Sequence, residues 1–423
     1  MELLAITTNN LTIVSGTVLF FILAMLLVII LLIAKHYLLP SGNVKITIND
    51  KEELEVPTGS PILSTLANEK IFLPSACGGG GSCGQCRLRI VEGGSEPLPT
   101  EVVHFSRKEL LNGWHLGCQV KVKNDMKIVV PESILGIKKW ECEVVSNDNL
   151  ATFIKEFIVR LPKGEHLDFI PGSYCQIDIP QFAMNYADIK GVDDKFRKDW
   201  DHFKMWDLTC KNTEETVRAY SMANYPEEGD IIKLNVRIAT PPFDRATGGF
   251  MKVSPGIASS YIFSLKPGDK IYMSAPYGDF HPNLDSKAEM IYIGGGAGMA
   301  PLRAHILWLL KTKQIRDRKI SYWYGARSKS EIFYENDFEE LAKEYPNFSF
   351  HIALSAPLPE DNWTGDTGFI HDVLYNKYLK FHEAPEDVEY YMCGPGPMSN
   401  AVVKMLDGLG VDPESIRYDN FGG

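Results

Sequence analysis

Residues 11–34 form the longest apolar run in the chain, without a charge and broken only by Thr12, Ser15, Gly16 and Thr17. As a helix rising 1.5 Å per residue the run would cover about 36 Å, more than a hydrocarbon core of about 30 Å. A cleaved signal peptide has a basic start and an apolar core of about 7–15 residues. Here no Lys or Arg precedes Lys35, and the core is longer. An uncleaved transmembrane helix over residues 11–34, after a tail of residues 1–10, is the expectation. Only Glu2 is charged before the span, whereas Lys35, Lys45 and Lys51 follow it. The positive-inside rule therefore puts the tail in the periplasm and the rest of the chain in the cytoplasm.

Beyond the span the pattern changes three times. Val44, Ile46 and Ile48, then Leu54 and Val56, alternate with polar residues around Asn49-Asp50-Lys51, as two strands and a turn would. A short helix is expected over residues 61–68. From residue 137, apolar stretches at 144–145, 157–161, 175–179 and 234–238 read as strands of a small antiparallel barrel. Later, strand patterns at 290–293, 321–324 and 390–393 alternate with helical stretches at 302–313, 335–344 and 396–409. That alternation indicates a parallel sheet of Rossmann-like type.

Composition narrows the function. A length of 423 residues suggests two or three domains, and 45% hydrophobic with 23% charged residues is ordinary for a folded chain. A net charge of −11 argues against nucleic acid as a partner. Of eight cysteines, four cluster and the others (Cys142, Cys175, Cys210, Cys393) are scattered. This reads as a metal site plus isolated thiols in a reducing compartment.

The clustered cysteines are Cys77, Cys83, Cys86 and, about thirty residues later, Cys118. Four thiolates also suit tetrahedral zinc, but zinc knuckles usually come as two Cys-x-x-Cys pairs. The four consecutive glycines between Cys77 and Cys83 discriminate further. They let the backbone wrap closely around a sulfur-rich anionic cluster and take positive φ angles. The segment resembles a [2Fe–2S] ferredoxin, with an x5 first gap as in the adrenodoxin-like branch, where the plant type has x4.

Two motifs follow on the barrel. Arg218-Ala-Tyr220-Ser221-Met-Ala-Asn224 resembles the Arg-x-Tyr-Ser signature of the ferredoxin–NADP reductase superfamily. Arg218 offers a fork-shaped cation for the FAD pyrophosphate, Tyr220 an aromatic wall for the isoalloxazine, and Ser221 a hydroxyl near flavin N5. Gly256-Ile-Ala-Ser259-Ser260 opens a short helix that is either an ordinary N-cap or a pyrophosphate site. Its spacing ahead of Lys-Pro-Gly268-Asp269 resembles the same superfamily and favours pyrophosphate.

In the last module, Gly294-Gly-Gly296-Ala-Gly298-Met-Ala-Pro301 sits at a strand's carboxyl end, where a dinucleotide pyrophosphate approaches a helix start. A second loop, Cys393-Gly394-Pro395, lies beside the nicotinamide in the reductase superfamily. Cys393 would be a positioning group there, with a buried structural thiol as the alternative. Phe421, near the C-terminus, looks like the superfamily's aromatic cap over the flavin. Arg327 and Lys329 could read a 2′-phosphate, but Glu331 follows closely, and NADH is the expected donor.

Ferredoxin, flavin barrel and nucleotide domain in this order resemble oxygenase reductases. The N-terminal span and an insertion over residues 181–217, read as a docking surface or an elaborated surface loop, set the chain apart from that soluble group. Together these features closely resemble the family of F subunits of sodium-translocating NADH:quinone reductases. That resemblance implies a multidomain α+β and α/β chain with an N-terminal transmembrane helix. A β-grasp [2Fe–2S] ferredoxin domain would occupy residues 40–136, an antiparallel β-barrel FAD domain 137–284 and a Rossmann-like NADH domain 285–423.

It implies hydride transfer from NADH to FAD, then single-electron transfer to the cluster and onward to other membrane subunits. Ubiquinone reduction would be coupled to sodium export in a bacterial inner membrane. Ser221, Cys393 and Phe421 would stand at the reacting centre. FAD and NADH would be held by Arg218, Tyr220, Ser221, Asn224, Gly256, Ser259, Ser260, Gly294, Gly296, Gly298, Pro301, Gly394, Pro395 and Phe421. The alternative is a membrane-tethered NADH-dependent reductase component of an oxygenase.

Overall fold

The computed structural model describes residues 2–38, 42–244 and 246–419. The chain packs as two compact units, Met1–Leu73 with Cys86–Glu132, and Pro74–Gln85 with Ser133–Gly423. The loop Pro74–Gln85 makes polar contacts with strands of the second unit.

In the first unit, helix α1 (Glu2–Leu38) starts well before the apolar run, so residues 2–10 are helical. Glu2, Leu3, Leu4 and Ala5 are good helix formers, and no Gly or Pro interrupts them. Its segment Val14–Ala34 has a mean hydropathy of 3.3, is long and apolar enough to cross a membrane, and is not buried. Strands β1 (Asn43–Ile48) and β2 (Glu52–Pro57) pair antiparallel, and Asn49 and Asp50 turn the chain with φ of 52° and 55°. Both central residues at positive φ give the hairpin its type I′ twist. Helix α2 (Ile62–Asn68) buries Ile62 and Leu66. Strands β3 (Arg87–Glu92), β4 (Trp114–Leu116) and β5 (Met126–Val129) complete a mixed sheet of order β2-β1-β5-β3-β4. Between β3 and β4 lie α3 (Pro99–Val102) and α4 (Arg107–Leu111), the latter started by a Ser106–Glu109 capping box.

A one-turn helix, α5 (Glu132–Leu135), marks the junction. The second unit then builds a six-stranded antiparallel sheet. Its strands are β6 (Lys138–Ala151), β7 (Ile154–Arg160), β8 (Tyr174–Ile179), β11 (Thr216–Ser221), β12 (Ile231–Arg237) and β15 (Lys270–Tyr277). They lie in the order β11-β8-β15-β6-β7-β12. Just past the end of β11, Met222 forms an antiparallel bridge with Leu234 of β12, and Ala223 N–H reaches Lys233 O at 2.7 Å, drawing the sheet's edges together. A short antiparallel pair, β13 (Phe243–Asp244) and β14 (Gly249–Phe250), precedes helix α7 (Ile257–Ser264), which buries Ile262 and Phe263 in the same core.

The insertion is ordered and its inner face is packed. It contains β9 (Phe182–Asn185), α6 (Asp194–His202) and β10 (Thr209–Asn212), and its aromatic residues belong to the sheet's core. Tyr186 and Trp200 are fully buried, Phe196 nearly so, and Phe203 and Trp206 pack against them. Trp200 Nε1 donates to Thr152 O at 2.8 Å and Tyr186 Oη pairs with Ser260 Oγ at 2.8 Å, so even the polar atoms are satisfied internally.

The nucleotide half comprises β16 (Met290–Gly295), β17 (Ile320–Ala326), β18 (Phe348–Leu354), β19 (Asp366–Thr367), β20 (Glu389–Cys393) and β21 (Ile416–Asp419). They form a parallel sheet of order β19-β18-β17-β16-β20-β21. Helices α8 (Met299–Leu307), α9 (Glu335–Glu344), α10 (Ile370–Lys377) and α11 (Gly396–Asp407) accompany the strands. From β16 the chain steps outward to β17–β19 on one side and returns to β20–β21 on the other. The gap between the carboxyl ends of β16 and β20 is therefore the topological switch point, where open α/β sheets bind ligands.

Candidate functional site

At the switch point two glycine turns press together. Gly294 of β16 is in register with Cys393 of β20, and Gly298 lies so close that a Cβ there would stand 2.1 Å from Cys393 O. A Cβ on Gly294 would meet Tyr322 Oη at 2.6 Å, and one on Gly394 would meet Met398 Cε at 2.5 Å. Gly296 takes a φ of 56°, and Pro301 is buried in the first turn of α8. At Gly294, Gly298 and Gly394 there is no room for a side chain, and at Gly298 backbone approaches backbone as a pyrophosphate site needs. Pro395 is the N-cap of α11. Burial pushes the Cys393 thiol well above its ordinary pKa, so it is a neutral, buried group and not a nucleophile.

From the other side, β11 brings Ser221 to the same place. Its hydroxyl donates to Asp419 Oδ2 at 2.5 Å, and Asp419 is paired in register with Cys393. Burial raises the Asp419 pKa against that hydrogen bond, with Asp279 adding in the same direction. Asp419 escaped the sequence reading; its only signal was its place two residues before Phe421. Phe421 itself lies outside the described residues.

Tyr220 is half-buried on the flavin sheet's core, and burial raises its phenol pKa. Arg218 Nη1 donates to Thr216 Oγ1 (2.7 Å), Val217 O (2.8 Å) and Cys77 O (3.2 Å). A guanidinium carries five N–H donors, so these contacts fix its direction without exhausting it. Asn224 is used differently from expectation: its amide donates to Ile231 O and accepts from Lys233 N–H, both at 2.9 Å, tying the sheet together. Ser259 and Ser260 likewise turn their hydroxyls inward, to Gly256 O and, for Ser260, Tyr186. What α7 has left for an anion is the backbone N–H groups of its first turn after Gly256, which no helix carbonyl reaches.

The cysteines are seen as two pairs, one in each unit. Cys77 and Cys83 sit in the loop Pro74–Gln85 with Sγ atoms 3.3 Å apart. Gly78, Gly79, Gly81 and Gly84 all take positive φ, from 67° to 92°. The hydrogen bond from the Cys83 thiol, then the N–H groups of Cys83, Ser82 and Gly79, hold the Cys77 thiol far below its usual pKa, at about 3. A loop that aims N–H groups at a thiolate has the donor chemistry of an iron–sulfur ligand. The loop is fastened by Tyr174, which donates to Gln85 Oε1 at 2.9 Å, and by Gly78, where a Cβ would meet Arg218 Nη1 at 2.6 Å. In the other unit Cys86 and Cys118 are buried with Leu116 and Phe105, and Gly117 N–H donates to Cys86 O at 2.8 Å. Among the described residues, no three His, Cys, Asp or Glu side chains converge as a metal-binding group.

Three family models match the chain: a 2Fe-2S iron-sulfur cluster binding domain over residues 46–123, an oxidoreductase FAD-binding domain over 201–281 and an oxidoreductase NAD-binding domain over 292–404. Curated relatives, each named as the F subunit of a Na(+)-translocating NADH-quinone reductase, match nearly end to end. The Neisseria meningitidis protein is 52% identical over 97% of this chain and 100% of its own length. The Klebsiella pneumoniae protein is 53% identical with the same coverage, and that of Actinobacillus succinogenes 55% identical over 92% of this chain and 94% of its own. Among solved structures, an Amycolatopsis cytochrome P450 reductase has a TM-score of 0.62 at 22% identity, covering 89% of this chain and 98% of that one. The ferredoxin reductase of carbazole 1,9a-dioxygenase has a TM-score of 0.58 at 23% identity, covering 90% and 98%. At those identities the two share the fold with this chain.

Proposed function

The chain belongs to the family of F subunits of Na(+)-translocating NADH-quinone reductases, and we propose a division of labour among its residues within that activity. It is an oxidoreductase with [2Fe–2S], FAD and NAD domains. When bound, FAD supplies the conversion between a two-electron donor and the one-electron cluster.

The protein's own part is to bind and orient. The turns at Gly294–Gly298 and Gly394–Pro395 receive the dinucleotide at the switch point. The Arg218 guanidinium and the first turn of α7 hold the flavin pyrophosphate. Ser221, held by its hydrogen bond to Asp419, would stand near flavin N5 when FAD is bound. Cys393 contributes a neutral thiol and close packing. Cys77, Cys83, Cys86 and Cys118 ligate the cluster.

One observation carries this reading: the strand that bears the flavin motif also holds the cysteine loop. Arg218 reaches Cys77 O at 3.2 Å, and Tyr174 of the neighbouring strand reaches Gln85 at 2.9 Å. The flavin motif is thereby hydrogen bonded to the loop that carries Cys77 and Cys83, two of the proposed cluster ligands, so electrons would leave the flavin through that loop.

The remaining assignments concern setting. The chain is a subunit of a membrane complex with one apolar helix suited to a span. In our reading it is anchored once in the bacterial inner membrane, with the residues after the span on the cytoplasmic side. It delivers electrons to other membrane subunits, so that ubiquinone reduction drives sodium export.

Purifying the full chain with its companions tests this. Membranes carrying it should show NADH-driven quinone reduction that Arg218→Leu abolishes by removing FAD. A co-purifying oxygenase, with no quinone reductase activity in those membranes, would sink the reading. A stoichiometric flavin content in the Arg218 variant would sink the pyrophosphate assignment.

A further inference from the structure

The loop after β17 reads Arg327-Ser328-Lys329-Ser330-Glu331. In a Rossmann-type sheet the loop after the second strand meets the adenosine ribose, where a carboxylate accepts from the 2′-hydroxyl or an Arg accommodates a 2′-phosphate. By residue type alone this loop is ambiguous, with two cations for a phosphate and one carboxylate for a hydroxyl.

Glu331 is half-buried, and burial raises its pKa while Thr152, Arg237 and Arg327 act the other way. A different carboxylate stands at the loop. Asp361, in the turn that follows β18, accepts with one oxygen from both Lys329 N–H at 3.1 Å and Leu358 N–H at 2.9 Å. Two backbone bonds fasten the same loops together, Ser355 N–H to Ala326 O at 2.9 Å and Ala356 N–H to Arg327 O at 2.8 Å.

We infer that Asp361 is the specificity-determining residue that makes this chain prefer NADH to NADPH; the inference rests on the NADH reading above. Its charge is fixed on the backbone of Lys329, one of the two residues whose cation would otherwise read a 2′-phosphate. A 2′-phosphate entering the loop meets a carboxylate already holding the N–H it would use. A 2′-hydroxyl meets an acceptor with lone pairs to spare. Discrimination of this kind works by repulsion of the wrong ligand as much as by attraction of the right one.

The test uses the full chain with its cofactors and two variants, Asp361→Asn and Asp361→Ala. Asn keeps the size and one acceptor oxygen, so the loop stays held while the charge is lost. Two readouts are needed: kcat/KM for NADPH relative to NADH, and the dissociation constants of adenosine 2′,5′-bisphosphate and 5′-AMP. The inference expects the NADPH:NADH ratio to rise about tenfold in Asp361→Asn, which corresponds to about 1.4 kcal/mol. It also expects the 2′,5′-bisphosphate to bind more tightly while 5′-AMP does not. A ratio that stays put, or both nucleotides weakening together in Asn and Ala alike, overturns it and leaves Asp361 a loop staple. A wild-type chain that binds neither NADH nor 5′-AMP would overturn the NADH reading itself, which is a separate result.

Discussion

The Ser221 hydroxyl, at the end of a strand in the flavin half, donates to the Asp419 carboxyl, on the last strand of the nucleotide half, across 2.5 Å. Asp419 lies in register with Cys393, and Cys393 with Gly294, so one hydrogen bond aligns Ser221 with the sheet's switch point. Ser221→Ala and Asp419→Ala should therefore slow flavin reduction by NADH to a similar extent. The double variant should be little worse than either, with a coupling energy of about 1–3 kcal/mol. Stopped-flow flavin bleaching measures all four proteins, and strictly additive effects would show that the two residues act separately.

Asp419 also predicts a pH effect. Its pKa is raised in the folded chain, so between the unfolded value of 3.8 and the folded one the native state holds the extra proton. Stability from this group is present below that window and declines as pH rises through it. Asp419→Asn should remove that decline, as thermal unfolding at a series of pH values would record.

Lys155 predicts the opposite slope. It is buried in the flavin core, with Nζ donating to Asn147 O at 3.0 Å and lying 5.3 Å from the Phe263 ring. Burial lowers its pKa from 10.5 to about 8, although Asp148 pulls the other way. Between those values the unfolded chain binds the proton and the native one does not, so stability should rise with pH across that window, by about 3 kcal/mol at most. Lys155→Met should flatten the curve; an unchanged slope in that variant would assign it to another group.

Gly298→Ala tests the packed turns. The new Cβ would meet Cys393 O at 2.1 Å and Cys393 C at 2.3 Å, both backbone atoms with little freedom to move. Overpacking of this kind costs about 1–3 kcal/mol or more, and NADH affinity should fall with it. Gly396→Ala, where a Cβ would meet nothing within 4 Å, is the matched control. Equal NADH affinity in the two variants would contradict the close packing.

Much of the fold was legible from patterning, and the site only in part. Strand alternation marked the β1–β2 hairpin, and the helix at Glu335–Glu344 has its expected ends because its charged and apolar residues follow a helical period. Motifs local in sequence, the glycine turns and the cysteine loop, could also be read, since their chemistry lies in consecutive residues.

What could not be read depends on distant partners. Ser260 looked like a phosphate ligand until Tyr186, 74 residues away, took its hydroxyl. The insertion's aromatics looked solvent-facing among so many charges. They become core only when α6 sets Phe196 and Trp200 four residues apart on its buried face. Asp361 and Asp419 each act on a loop or strand far along the chain, which no local motif could reveal.

The central claim is that NADH enters at the flavin and that electrons leave by a cluster on Cys77, Cys83, Cys86 and Cys118. The most direct measurement is anaerobic reduction of the full-length Cys86→Ala variant by NADH, followed by flavin absorbance and electron paramagnetic resonance. The account predicts that the flavin bleaches as in the wild type while the reduced [2Fe–2S] signal is absent. A retained cluster signal, or a flavin in the cluster-less chain that NADH no longer reduces, would contradict it.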